Sequence, residues 1–283
     1  MALQSSGAIS LANVQTEFGG SNPIGINEYY GVAAGVPASG TISLNDFYGK
    51  SAPSGSLDIT LLLMAGGGAA RSDEEDPRSP GGGGGGGLLT QSLSITGANA
   101  VTVGGSDANS SFPSATTAIR GGFSFNTGEG SGVVASGGSG GGGNDDAING
   151  GAGTPGQGNP GANWNNGVDG GGGGKGSAGV GPGGGSGYDI AGFRGGPSLT
   201  VAFGGNGGSN APGDISPAAN TGGGGTKVQF PGGDALGGSG IVIIRYPGST
   251  ALATGGNSTY TRTVGGTAYY FHEFTSSGTF TKS

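Results

Sequence analysis

Along residues 57–65, "LDITLLLMA", polar and apolar positions first alternate and then give way to an unbroken apolar run. The alternation predicts a strand, and the continuous run predicts that the strand enters a sheet covered on both faces. The same pattern appears at 88–103, "LLTQSLSITGANAVTV", where Leu89, Leu93, Ile95, Val101 and Val103 alternate around a Gly-Ala-Asn turn. A hairpin is expected there. The run "IVIIRY" at 241–246 is the strongest strand in the chain, and "YYFHEFTSSGTFT" at 269–281 predicts a second hairpin, turning at Ser276–Gly278. These four segments bracket a middle, about 104–240, in which neither a helical nor a strand period can be found.

Residues 1–50 read differently, and they carry a repeat. "SGAISLANV" at 6–14 recurs as "SGTISLNDF" at 39–47. In each copy an isoleucine, Ile9 or Ile42, ends an extended stretch. Ser10 or Ser43 is then placed to cap a short helical turn, with Asn13 or Asp46 three positions on. Leu11, Val14 and Phe18 in one copy, and Leu44, Phe47 and Tyr48 in the other, give a small apolar face. The segment reads as a module too small to build a substantial core of its own. Residues 51–56 read as a linker, and 57–283 as a second, glycine-rich domain.

Composition explains the silent middle. Of 283 residues, 75 are glycine and 14 are proline. Collagen is excluded, because its glycines must fall at every third position and here they come in uninterrupted runs such as Gly81–Gly87. A run of seven glycines is either disordered or demanded by a geometry that admits nothing larger, since ordering glycine loses more backbone freedom than ordering any other residue. Polyproline II offers such a geometry, with three residues per turn and no internal hydrogen bonds. Side by side, glycine helices of this kind approach closely and satisfy one another's backbone groups. Any inward Cβ would force them apart. Gly81–Gly87 would form a rod of about 22 Å at the polyproline II rise. The fold class expected is therefore mainly β and irregular: an antiparallel β base carrying a polyglycine II bundle, with a small N-terminal module of short strands and helical turns.

Charge removes several functions. Ten Lys and Arg stand against 17 Asp and Glu, a net charge of −7. The cations are scattered singly, so nucleic acid is not an expected partner. There is no cysteine, so disulfides and thiolate chemistry are out. The longest apolar run, at 61–65, is too short to insert into a membrane. His272 is the single histidine, which removes histidine clusters and a histidine-assisted serine nucleophile; it reads as a strand residue. "DGGGGGKGS" at 169–177 fails as a phosphate loop, because Asp169 replaces the first glycine and Gly176 the metal-binding hydroxyl. "GGGGNDDAI" at 140–148 is a single copy of a pattern that binds calcium only in tandem. The acidic run Asp73–Asp76 reads as a solvated loop. No catalytic residue, metal or cofactor is expected.

The aromatic and amide residues between glycine runs remain. "GANWNNG" at 161–167 sets Trp164 between Asn163 and Asn165. Phe123 and Phe125, Tyr188 and Phe193, and Phe230 sit in similar surroundings. Rigid rings beside small polar residues make binding surfaces at little cost in side-chain entropy, and they also serve to cover the flanks of a coreless lattice.

Four stretches, "LLLMAGGG" at 61–68, "LSITGANAVTVGG" at 93–105, "GGSGIVIIRYP" at 237–247 and "HEFTSSGTFT" at 272–281, resemble a glycine-rich domain of bacteriophage and cyanophage structural proteins. "SGAISLANV" and "SGTISLNDFYGKS" resemble a module at the start of such tail and fibre proteins. Tail-fibre tip adhesins of T-even-like phages are similar in plan: polyglycine II helices hold variable distal loops against a host receptor. The resemblance implies a virion protein of the tail or fibre, assembled in a host cytoplasm. Residues 1–50, with Ile9, Leu11, Ile42, Leu44, Phe47 and Tyr48, would dock on other tail, fibre or baseplate proteins. The aromatic set would meet a host glycan or outer-membrane protein. Two alternatives stay open: a structural or decorating virion component without a receptor, and an ice-binding protein, although the latter needs a regular glycine repeat that is missing here.

Overall fold

The computed structural model describes residues 2–18, 22–33, 35–51, 55–72, 79–126, 132–208, 213–226 and 234–283. The chain divides into two compact units, Met1–Ser56 and Leu57–Ser283.

In the first unit both serine caps form. Ser10 Oγ donates to Asn13 Oδ1 at 2.6 Å at the start of helix α1 (Leu11–Phe18). Asp46 Oδ2 accepts from the Ser43 backbone N–H at 2.7 Å, opening a 3-10 turn over Leu44–Phe47. The two copies then close on a common core of Val14, Tyr29, Val36 and Phe47, against which Ile9, Leu11, Ile42 and Leu44 pack. Phe47 meets Phe18 and Tyr29 edge-on, with centroids 5.9 and 6.1 Å apart. Three rings, Phe18, Tyr29 and Phe47, supply much of the area of this small core.

The second unit is built on strands β1 (Leu57–Met64), β2 (Ala70–Ser72), β3 (Leu88–Ile95), β4 (Ala98–Val101), β5 (Ser124–Asn126), β6 (Val133–Val134), β7 (Tyr188–Asp189), β8 (Thr200–Val201), β9 (Ile241–Pro247), β10 (Ala253–Thr254), β11 (Ser258–Val264), β12 (Thr267–Phe274) and β13 (Gly278–Lys282), with a helical turn α2 (Ala191–Arg194). A five-stranded antiparallel sheet runs β11-β12-β9-β1-β3, and a three-stranded sheet runs β10-β13-β4. Ile59, Leu61 and Leu63 of β1 join Val242, Ile244 and Tyr246 of β9 in an apolar layer that also takes in Val101, Phe274 and Phe280. Leu62 and Met64 point the other way, onto Ile243, Phe271, Ile190 and Val201. Burial on both faces is why the run at 61–65 is unbroken.

Both expected hairpins are corrected. β3 pairs with β1 and β4 with β13; β12 pairs with β11 and β9. The chain turns at Gly97 and again at Thr275–Ser276 to pass from one sheet to the other. A closed hairpin at 88–103 would leave Ile95 and Val101 on one open face, whereas the corner buries both in the same layer. The actual hairpin is β11–β12, closed by Gly265 and Gly266 at φ +57° and +85°, the paired positive angles of a type I′ turn.

Between the strands lies the glycine lattice. The backbone N–H groups of Gly82, Gly83 and Gly84 donate to three different segments, at Gly170, Gly225 and Gly122. Three residues on, Gly85, Gly86 and Gly87 return to the same segments, at Gly173, Gly222 and Ile119. That period of three is the signature of a polyproline II-type rod. On its other three sides the rod faces Ser139–Gly142, Ala202–Gly205 and Ala65–Gly68: a Cβ added at Gly82, Gly83 or Gly84 would lie 2.0, 2.0 or 2.2 Å from the carbonyl oxygen of Gly205, Gly68 or Ser139. The seven-glycine run is the axis of the array. The lattice begins at Gly66, and residues 188–201 leave it to pack on the large sheet.

Candidate functional site

Most rods run antiparallel to their neighbours, so their connections gather at two ends. One end joins the sheets through Ala65, Leu88 and Gly240. The far end is traced by bonds between neighbouring turns: Trp164 N–H to Ile148 O, Gly170 to Gly143, Gly171 to Gly181, Gly207 to Pro182 and Gly208 to Pro80. Its described connections are 144–149, 164–168 and 180–183.

Each connection is a tight turn. Asn165 and Val168 exchange both backbone hydrogen bonds at 3.0 Å, while Asn166 and Gly167 take φ +48° and +82°. Val180 and Gly183 do the same, with Gly181 at φ +52° ahead of Pro182. Asn144 Oδ1 accepts from Ala147 N–H at 2.8 Å, and Asn163 Oδ1 from Gly150 N–H at 2.9 Å. The turns hold apolar side chains in solvent: Ile148 is 56% exposed, Val168 38% and Val180 79%. Trp164 lies among them, half-buried, between exposed Asn163 and Asn165.

The remaining aromatic residues are dispersed. Phe123 and Phe125 face outward from β5 on the lattice flank, half-buried. Tyr188, 50% exposed, and Phe193 lie at the opposite end, in the β7–α2–β8 excursion over the large sheet. There Asp189 Oδ1 accepts from Ala191 and Leu199 N–H at 2.9 and 3.0 Å; these bonds and that from Ser198 hold its carboxyl below the usual 3.8. Phe193 packs in the sheet core with the Arg245 guanidinium 4.3 Å from its ring centre, so this ring belongs to the packing. Phe230 and the acidic run Asp73–Asp76 lie outside the described residues. In the first unit Ile9, Leu11, Ile42, Leu44 and Phe47 are engaged in its own core, and the Tyr48 hydroxyl donates to Gly7 O.

Sequence reading missed Ile148, Val168 and Val180. Their signal was an isolated apolar residue beside an Asn-Gly or Gly-Pro turn pair. Among the described residues no group of three or more His, Cys, Asp or Glu is placed to hold a metal, and no helix is long and apolar enough to cross a membrane. Residues 169–174, from the stretch that fails as a phosphate loop in sequence, are a rod of the lattice.

Two packed β-sheets carrying a polyglycine II array, with tight turns at its free end, define a mainly β, glycine-rich protein. The chain belongs to the family whose model is described as a glycine-rich domain, which matches residues 43–247. No curated protein and no solved structure matches it.

Proposed function

We propose that the chain is a phage virion protein, a tail-fibre or tail-tip adhesin that meets a host surface receptor with the turns at the free end of the lattice. The observation that carries this reading is the exposure of Ile148, Val168 and Val180 around Trp164 on turns fixed by the array. Exposed apolar side chains on a pre-ordered surface favour binding, because little chain entropy remains to be lost. Residues 1–50 would dock the protein on other tail, fibre or baseplate proteins, and the β-sheets would form the base.

Adsorption of virions carrying Trp164→Ala tests the adhesive role. Loss of a central aromatic contact should weaken receptor binding by about 2 kcal/mol, roughly thirtyfold, with melting of the isolated protein little changed. Unchanged adsorption with a lowered melting temperature would make Trp164 a packing residue and favour a decorating virion component. Val180→Asp supplies an independent reading, since its side chain is 79% exposed.

A further inference from the structure

The sequence holds three Asn-Gly pairs, Asn149-Gly150, Asn166-Gly167 and Asn206-Gly207. In such a pair the glycine backbone nitrogen can attack the preceding side-chain amide carbon, because glycine has no Cβ to obstruct the approach. The attack needs that nitrogen free and the two atoms brought near contact. Local chemistry is the same in all three pairs, and the fold separates them.

In two pairs the lattice holds the nitrogen. Gly150 N–H donates to Asn163 Oδ1 at 2.9 Å, and a Cβ on Gly150 would fall 2.4 Å from Gly161 O. Gly207 N–H donates to Pro182 O at 2.8 Å. The Asn206 amide is engaged as well, its Oδ1 accepting from Gly184 N–H at 2.9 Å. The third pair lies at the tip of the free end. Asn166 and Gly167 are both exposed, and neither the Gly167 N–H nor the Asn166 side chain has a hydrogen-bond partner among the described residues. Nothing stands within 4 Å of where a Cβ on Gly167 would lie. The turn is closed by the two Asn165–Val168 bonds. Both residues are exposed, so opening the turn disturbs no rod of the lattice. Asn-Gly is demanded by the turn itself, because paired positive φ angles suit few other residues.

We propose that Asn166 is a modification site, converted to aspartate and isoaspartate while Asn149 and Asn206 persist. The Gly167 nitrogen bonds to Asn166 Cγ, its proton leaves with the side-chain nitrogen as ammonia, and a succinimide ring closes. One water then opens the ring. Addition at Cγ yields aspartate; addition at the Asn166 backbone carbonyl carbon yields isoaspartate, whose main chain runs through one extra methylene. Either product places a new negative charge two residues from Trp164, and isoaspartate lengthens a turn that is two residues long. The loss of affinity expected of the binding end as a particle ages rests on the adhesin reading; the modification does not.

The test is peptide-mapping mass spectrometry on the full chain aged in heavy-oxygen water at mildly alkaline pH, with a parallel sample in urea. Fragmentation separates isoaspartate from aspartate, and the heavy oxygen marks hydrolysis during the incubation. Relative to their own rates in urea, Asn149 and Asn206 should be slowed about tenfold or more, since their glycine nitrogens are released only when the lattice opens. Asn166 should be slowed far less. Equal slowing at all three sites, or slowing at none, overturns the proposal. Virions aged in the same way test the consequence, with Asn166→Gly as a non-reacting variant that keeps the positive φ. Adsorption that falls with age in the parent but not in Asn166→Gly upholds the effect on binding. Conversion without loss of adsorption upholds the site and overturns only that effect. Adsorption of fresh Trp164→Ala virions tests the adhesin reading separately.

Discussion

At the scale of single residues, the buried polar groups of the large sheet are the most informative. Burial pushes the His272 imidazole below its ordinary 6.5. Nδ1 is 2.7 Å from Gly255 O and Nε2 3.1 Å from the Tyr246 hydroxyl, which itself accepts from Leu252 N–H at 3.0 Å. A neutral ring fits this chain, with Nδ1 donating and Nε2 accepting. The unfolded chain takes up a proton near pH 6.5 and the folded chain only at lower pH. Stability is therefore full above about 6.5 and is lost as pH falls below it, with a slope of at most ~1.4 kcal/mol per pH unit for one proton. Urea unfolding between pH 5 and 7.5 checks this, and His272→Asn should flatten that part of the profile. A slope of opposite sign would mean that the folded ring is charged. Neighbouring Glu273 is held by Arg194 at 3.1 and 3.3 Å and by the Tyr260 hydroxyl at 2.9 Å. None of these partners can be paired from the sequence, because Arg194 lies 79 residues from Glu273.

At the scale of elements, the lattice makes a sharp distinction among glycines that look alike in sequence. A Cβ at Gly84 falls 2.2 Å from Ser139 O, whereas one at Gly192, in α2, meets nothing within 4 Å. Gly84→Ala should destabilise by about 3 kcal/mol or more, because neighbouring backbones have to separate. Gly192→Ala should be neutral or stabilising by up to about 1 kcal/mol, as alanine favours a helical turn. Thermal melting of the two variants decides the matter, and equal tolerance would refute the array. The strands themselves were legible at 57–65 and 241–246, where periodicity and β-branching agree. Their pairing was not: alternation at 88–95 and 98–101 marks two strands correctly but carries no information on which sheet each joins.

At the scale of the whole molecule, two units each hold their own core, one around Phe47 and one on both faces of β1. A chain beginning at Leu57 should therefore fold and melt as the glycine-rich unit does in the full protein, measured by circular dichroism. On the proposed function it should also fail to enter virions, which assay of purified particles for the truncated chain would check; normal incorporation would remove the docking role from residues 1–50. The free end of the lattice was partly visible beforehand, since Trp164 and its asparagines mark one turn. That turn's neighbours at 144–149 and 180–183 were not, because segments distant in sequence meet only through the order of the rods.

By itself the sequence determined the local conformations available: strands where β-branched and alternating residues occur, capped turns at Ser10 and Ser43, and glycine rods where no other residue fits. These follow from interactions within a few positions along the chain. The tertiary structure alone decided which rod lies beside which, that Gly81–Gly87 is the axis, and that Phe193 packs while Phe125 faces outward. Glycine carries no side chain to encode a partner. The neighbours of each rod are therefore chosen by where the strands and loops at the two ends hold it, and by the need of every buried backbone N–H and C=O to find a complement.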